Sequence, residues 1–188
     1  MTYDIVKYNT LQELPKKLRK ISILKGELYD DIDTIKYKFI EANPQIQVPE
    51  QRNAVASDTT EHLDGKIINR LIAYREAKLR KLIPYALADM EDYFADDVLT
   101  LGDDKFHFLL NLDQEFNDNL LQPLAEYFHH FIVWGALYDW YGQMGMMGQA
   151  SFYKSELDDI EAEITNSLRT PSITKRPMQP FGPAKRPF

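Results

Sequence analysis

The spacing of apolar residues predicts a first amphipathic helix over residues 26–43. Its apolar positions fall at i, i+4, i+7 and i+11, which is one face of a helix with 3.6 residues per turn. Because proline disfavours the helical conformation of the residue before it, Pro44 ends this helix at Asn43. The residues that this face is expected to bury are Leu28, Ile32, Ile35 and Phe39.

A second helix is predicted over residues 59–82. Asp58 and Glu61 have the spacing of a capping box at its start, and Pro84 ends or kinks it at the other end. The positions expected to be buried are Leu63, Ile67, Leu71, Tyr74 and Leu82. A short third helix can follow over residues 85–94.

Two long helices are predicted in the second half of the chain, over residues 119–144 and 149–168, with a glycine-rich turn between them. The first is apolar around most of its circumference, which places it at the centre of the fold or at a contact between subunits. Its expected apolar stripe is Leu120, Leu124, Phe128, Phe131, Tyr138 and Tyr141. The residues assigned to a subunit interface are Trp134, Tyr138, Trp140 and Tyr141. The second helix is expected to bury Tyr153, Leu157, Ile160, Ile164 and Leu168.

The clearest β signal lies at residues 97–112. An apolar run at residues 98–101 precedes Gly102, and apolar residues alternate from Phe106 to Leu112. Two such runs around a short glycine-containing loop predict a hairpin. The basic segment at residues 11–20 admits two interpretations, a short helix broken near Pro15 or an extended N-terminal arm.

The predicted fold class is therefore mainly α, a helical bundle with one β-hairpin and an extended C-terminal arm. The body covers residues 1–168 and the arm covers residues 169–188. Residues 170–188 contain five of the ten prolines of the chain and have no helical period. Such a composition favours an extended, polyproline-like conformation.

Composition and charge narrow the possible functions. Without cysteine, the chain has no disulfide framework, thiolate metal site or cysteine nucleophile. No apolar run approaches the roughly 18–20 residues of a membrane helix. Residues 169–188 carry +5 and no acid, which leaves −12 on residues 1–168 because the whole chain carries −7. An acidic body argues against non-specific binding of nucleic acid, which needs clustered Lys and Arg.

The arm is predicted to dock on a partner protein, and a disordered, solubilising terminus is the alternative. Its apolar and aromatic side chains alternate with arginine and proline, which is unlike a simple solubiliser. Proline lowers the entropy cost of ordering, while the anchors supply contact energy. The predicted docking residues are Arg169, Ile173, Lys175, Arg176, Met178, Phe181, Lys185, Arg186 and Phe188.

Motifs give little support for catalysis. Adjacent helix positions point about 100° apart, so His129 and His130 cannot chelate one metal as an i, i+4 pair could. The aspartate pairs lie at predicted helix starts, turns or polar helix faces, where aspartate commonly caps a helix or is solvated. The pairs are Asp30-Asp31, Asp96-Asp97, Asp103-Asp104 and Asp158-Asp159. The chain lacks the sequence signatures of P-loops, nucleophile elbows and dinucleotide-binding turns. We therefore predict no catalytic, cofactor-binding or metal site.

The second half of the chain resembles a family of phage proteins. The stretches that carry the resemblance are FNDNLLQPLAEYFHHFIVWGALYDWYGQMG, then YKSELDDIEAEITNSLRTPS and the PFGP tail. This part, about residues 115–188, resembles head-to-tail connector (adaptor or ring) proteins of tailed bacteriophages. In particular it looks like a ring protein of the crAss-like phages that infect Bacteroides. The shared plan is a long aromatic helix, an antiparallel partner helix and a C-terminal arm.

The resemblance implies a structural role without catalysis. Adaptors of this family form dodecameric rings below the portal, and a C-terminal arm commonly embraces the portal; here that role falls on residues 169–188. The implied partners are the portal protein and other tail or ring proteins, with DNA passing through without specific binding and no membrane. The implied location is the virion, after synthesis in the host bacterial cytoplasm. The predicted hairpin departs from the simplest helical adaptor plan.

Two other functions stay open at this point. One is a cytosolic helical binding module whose proline-rich tail is a ligand for a peptide-recognition domain. The other is an acid/base hydrolase that uses the clustered carboxylates.

Overall fold

A computed structural model describes residues 3–7, 16–45, 65–83 and 104–169 of the chain. The predicted fold class is confirmed, because the described residues are mainly helical and include a small antiparallel sheet. In chain order the elements are β1 (Asp4–Lys7), β2 (Lys16–Leu24), α1 (Lys25–Ala42), α2 (Gly65–Leu82), β3 (Lys105–Asp113), a 3₁₀ turn (Asp118–Leu120), α3 (Leu121–Gln143) and α4 (Met147–Leu168).

In the described sheet, β2 lies between β1 and β3 and is antiparallel to both. Ile21 of β2 is in register with Ile5 on one side and with Phe108 on the other. Because side chains alternate along a strand, these three residues share one face of the sheet. Ile21 and Phe108 are fully buried, and the ring of Phe128 on α3 meets Phe108 edge to face at 5.2 Å. The sheet therefore packs on the central helix.

The structure decides between the two interpretations of the basic segment at residues 11–20 for the part that it describes. Residues 16–20 form part of β2, so the short-helix prediction is wrong for them. Their backbone is extended, as the alternative expected, but as the central strand of the sheet and not as an arm. A strand this basic needs a counter-charge inside the fold. Arg19 is buried and donates from Nε and Nη2 to the two carboxylate oxygens of Asp118, at 3.0 and 3.1 Å. That carboxylate lies 99 residues further along the chain.

The second run of the predicted hairpin is strand β3. Its partner in the described sheet is β2, from the start of the chain. The first run, residues 98–101, lies outside the described residues. The sheet thus depends on a long-range pairing between β2 and β3 that the local pattern did not reveal.

Helix α1 confirms the first predicted helix. Leu28 and Ile32 are buried, and Ile35 and Phe39 pack against the core from partly buried positions. Lys36 lies on the same side of the helix, fully buried, with Nζ 4.9 Å from the ring centroid of Trp140. The ammonium is thus attracted to the face of an aromatic ring in the core.

Helix α2 confirms the second predicted helix from Gly65 onward, and its buried face coincides only in part with the predicted one. Ile67 and Leu82 pack against the core from partly buried positions, and Leu63 lies outside the described residues. Leu71 is buried as expected, whereas Tyr74 is 51% exposed. The buried face is rotated toward a charged residue, Arg75, and its apolar members are Ile68, Leu71, Ile72 and Leu79. The predicted capping box and the short helix at residues 85–94 lie outside the described residues.

Helices α3 and α4 confirm the two long predicted helices. They are joined by a short turn at which Gly145 has φ +73°, a left-handed conformation that favours glycine. The turn reverses the chain, so that Tyr153 stacks on Tyr141 with ring centroids 5.6 Å apart. Pro123 falls in the first turn of α3, where its missing N–H costs little. Leu120, expected in the buried stripe, is 37% exposed at the helix start.

Candidate functional site

Helix α3 is the centre of the described body, and this changes which of its aromatic residues can meet a partner. Trp140 is fully buried and Tyr141 is 3% exposed. Phe39 of α1 meets both rings edge to face, at 5.9 and 5.0 Å. The rings of Trp140 and Tyr141 are enclosed by their own chain. Their predicted place in a subunit interface is therefore corrected: both residues belong to the core.

Trp134 and Tyr138, the other two members of the predicted interface, are half-buried. Trp134 stacks on His130 with ring centroids 4.9 Å apart. Tyr138 lies beside a surface groove between α2 and α4. A subunit contact through these two residues stays a prediction.

The stacked pair Tyr141 and Tyr153 fixes α4 against α3. Burial, followed by the nearby Tyr153, raises the pKa of Tyr141 to about 12, and burial also raises the pKa of Tyr153. The raised pKa values extend the uncharged state of both phenols further into the alkaline range, since burial disfavours the charged form. The predicted docking arm follows this hairpin in the sequence.

A buried ion pair fixes α2 against α3. Arg75 is 4% exposed and donates from Nε and Nη2 to the two carboxylate oxygens of Asp139, at 2.7 and 2.6 Å. Its guanidinium lies 5.5 Å from the ring centroids of both Tyr74 and Tyr138. A bidentate pair of this kind combines energy with a defined geometry.

Gly135 makes room for that arginine. A Cβ atom at this position would lie 2.4 Å from Cδ of Arg75 and 2.7 Å from its Nε. The absent side chain thus lets the arginine cross the surface of α3 to reach Asp139. Sequence reasoning missed this arrangement. Its signals were a glycine within an apolar helix and a basic residue on the line between Leu71 and Leu79.

The groove between α2 and α4 is basic on its α2 side. It has a volume of about 470 Å³, and its floor includes Phe131 and Tyr138 of α3. The charged residues along it are Arg75, Lys78, Lys81, Lys154 and Glu161. A second depression of about 520 Å³ continues along the same flank of α2, from Tyr138 to Arg70 and Tyr74. The two depressions share Tyr138 and lie along the same side of α2, and we refer to them together as the channel.

The two outer helices carry opposite charge. Helix α2 contains six basic residues and one acidic residue, whereas α4 contains five acidic residues and one basic residue. Both pack on α3, so the body presents a basic surface beside an acidic one. The net charge of the chain conceals this division.

His129 and His130 face different surroundings. His129 is fully buried, and its Nε2 lies 2.7 Å from Oδ2 of Asp31 on α1. His130 is half-buried on Trp134, and burial lowers its pKa, with a smaller contribution from His129. Within the ranges that the structure describes, no group of three or more His, Asp or Glu side chains is arranged to hold a metal ion.

The aspartate pairs do not meet where the structure describes them. Asp31 is paired with His129, and Asp158 forms an ion pair with Lys154 one turn away on α4. Asp30, Asp104 and Asp159 are exposed. The remaining pair members at positions 96, 97 and 103 lie outside the described residues.

The predicted docking arm begins where α4 ends. Arg169 is exposed, and its backbone N–H donates to the carbonyl oxygen of Thr165 at 3.0 Å. Leu168, just before it, is 5% exposed and belongs to the core. The other predicted docking residues lie outside the described residues, namely Ile173, Lys175, Arg176, Met178, Phe181, Lys185, Arg186 and Phe188.

Among the described helices, none is both long enough and apolar enough to cross a membrane. Comparisons with protein-family models, with curated proteins and with solved structures find no match to this chain.

Proposed function

We propose that this protein is a non-catalytic adaptor of a tailed phage, which assembles as a ring below the portal and docks through its C-terminal arm. The observation that carries the proposal is the division between an acidic helical body and a basic, proline-rich arm. The charges are −12 for residues 1–168 and +5 for residues 169–188. The resemblance of residues 115–188 to connector proteins supports the interpretation of this arm as the segment that binds the portal.

The start of the arm is well placed for docking. Leu168 is anchored in the core, so residue 169 leaves the body at a defined position and in a defined direction. An extended, proline-rich segment loses less entropy when it binds than a flexible one does. Aromatic anchors supply apolar contact area, and the four charges beyond Arg169 favour an acidic partner surface.

An acidic body also suits a conduit for DNA. Like charges repel, so DNA moving along an acidic wall is not retained by phosphate contacts. The exposed basic residues Arg70, Lys78 and Lys81 do not contradict this role, because they lie together on one flank of α2, where they can be covered by assembly.

The test compares the full chain with a chain ending at Arg169, each produced together with the portal protein of the same phage. We expect the full chain to co-purify with the portal as a ring visible by electron microscopy. The shortened chain is expected to remain folded, with an unchanged urea midpoint, and to lose the portal. Two further variants separate the contributions: one replaces Lys175, Arg176, Lys185 and Arg186 by glutamine, and the other replaces Phe181 and Phe188 by serine. A full chain that ignores the portal overturns the proposal.

A second candidate function is a proline-rich ligand for a peptide-recognition domain. The specific observation is that Pro177, Pro180 and Pro183 follow one another at the PxxP spacing. Domains of the SH3 type bind such segments in the polyproline conformation. Binding of the isolated arm to an SH3 domain, lost on changing Pro180 to alanine, combined with no portal binding would favour this function.

A further inference from the structure

Helix α2 carries a basic stripe on its exposed flank. Its members recur at i, i+4, i+8 and i+11, which is one side of a helix. All four are exposed, and Lys78 lies 4.7 Å from the ring centroid of Tyr74. The basic stripe consists of Arg70, Tyr74, Lys78 and Lys81.

Helix α4 carries an acidic stripe of almost the same spacing. Its members recur at i, i+4, i+7 and i+11, and Phe152 among them is 59% exposed. At 100° per residue, this stripe lies on the side of α4 opposite Lys154 and Glu161, which line the groove. The acidic stripe consists of Phe152, Glu156, Asp159 and Glu163.

We propose that the acidic stripe of one copy of this chain docks along the basic stripe of a second copy. Each stripe presents three charges and one aromatic ring over the same helical length, so the two are complementary in charge and in extent. The contact places α4 of one copy over the channel beside α2 of the other. The exposed ring of Phe152 then has the floor of that channel, which includes Tyr138, to pack against.

The two stripes are different surfaces of the chain, so the contact is heterologous. Each copy uses its basic stripe toward one neighbour and its acidic stripe toward the other. Heterologous contacts form rings when the rotation closes and open filaments when it does not. The contact therefore specifies how neighbouring copies would join in a ring of the proposed adaptor. Closure into a ring rests on that proposed function, whereas the contact between two copies is independent of it.

Charge reversal tests the contact on the full chain without a portal. One variant combines Lys78→Glu with Lys81→Glu, and another combines Glu156→Lys with Asp159→Lys. We expect the wild type to associate at low salt, near 0.05 M, and to dissociate near 0.5 M, because the screening length falls from about 14 Å to about 4 Å over this range. Each variant alone is expected to associate at least about tenfold more weakly, as sedimentation measures it.

Recombining the reversals gives the sharper measurement. In a mixture of the two variants, each contact between unlike molecules joins opposite charges, so alternating assemblies are expected to recover. A single chain with all four reversals is expected to recover association by itself. That fourfold variant has the net charge of the wild type, so its recovery cannot come from net charge. Asp30→Lys with Glu41→Lys is the matched control, because it reverses two exposed acids on α1 and is expected to leave association unchanged.

The absence of cysteine from the chain allows a direct test of the geometry. Lys78→Cys and Asp159→Cys place one thiol near the middle of each stripe. On oxidation, a chain with both substitutions is expected to give a ladder of multimers, as a heterologous contact requires. A two-fold contact would stop at dimers and overturn the proposal. Lys38→Cys with Asp159→Cys is the control, since Lys38 is an exposed residue of α1.

The remaining outcomes separate this contact from the proposed function. The contact is overturned if the wild type stays monomeric at low salt, or if the variant with all four reversals does not recover association. Either result counts even where the portal is bound. A third outcome would also overturn the contact: association that is lost on removing residues 170–188 but is unchanged by Lys78→Glu with Lys81→Glu. It would show that the acidic stripe binds the arm and not the basic stripe. Recovery by the fourfold variant without portal binding would support the contact and reject the portal adaptor.

Discussion

Replacing Gly135 by alanine is expected to destabilise the protein, although helix propensity favours alanine. Within a helix, alanine is better than glycine by about 1 kcal/mol. In this helix the new Cβ would lie 2.4 Å from Cδ of Arg75. The arginine cannot move aside at little cost, because its far end is held by Asp139 and is flanked by two tyrosine rings.

The magnitude follows from what the arginine loses. Breaking a buried ion pair costs about 3 kcal/mol or more when one charge is left without its partner. Asp139 keeps some hydration, since its side chain is 19% exposed, so the lower end of that range applies. Against the gain of about 1 kcal/mol, the net loss in free energy of unfolding is about 2 kcal/mol.

The same substitution is expected to change sign when the arginine is absent. In an Arg75→Ala background, Gly135→Ala meets no clash from the arginine and is expected to stabilise by about 1 kcal/mol. The coupling between the two positions is then about 3 kcal/mol, at the upper end for residues in contact. Urea unfolding followed by tryptophan fluorescence measures each variant, because both tryptophans lie on α3.

Gly142 provides the matched control on the same helix. A Cβ atom there meets nothing within 4 Å, so Gly142→Ala is expected to be neutral or slightly stabilising in both backgrounds. If Gly135→Ala stabilised the wild type by the same amount as it stabilised the Arg75→Ala variant, the idea that this glycine accommodates the arginine would be refuted.

Two further predictions concern charge inside the fold. Burial lowers the pKa of His130, whereas unfolded histidine titrates near about 6.5. Below that value the unfolded chain binds more protons than the folded chain, so the free energy of unfolding falls as the pH drops through 6.5 toward the lowered folded pKa. His130→Phe keeps a ring against Trp134 but removes the titration, so its urea midpoint is expected to decline less than that of the wild type from about pH 7.5 to 5. An equal decline would contradict the assignment. Asp118→Asn leaves Arg19 with a weaker, neutral acceptor and is expected to lower the free energy of unfolding by about 1–2 kcal/mol. Asp30→Asn, at an exposed position of α1, serves as the comparison. Equal effects of the two substitutions would rule out a special role for the Arg19–Asp118 pair.

Much of the helical architecture was predictable because it depends on local periodicity. Leu28 and Ile32 of α1 and Leu157, Ile160 and Ile164 of α4 are buried as their spacing predicted. The face of α2 was not predictable in the same way. Tyr74 looked like part of its apolar stripe, but the side of the helix that faces inward carries Ile72, Leu79 and the paired Arg75. The candidate interaction surfaces follow from that rotation.

The sequence by itself determined the main helices, the acidic body and the basic arm, because helical period and charge are properties of neighbouring residues. Only the tertiary structure decided three other features: that the basic segment at residues 16–20 is the central strand of the described sheet, that Trp140 belongs to the core, and that Gly135 accommodates Arg75. Each depends on a partner far away in the chain, as Arg19 depends on Asp118. The free energy of burying a charge or an aromatic ring is set by those distant partners, which no local pattern contains.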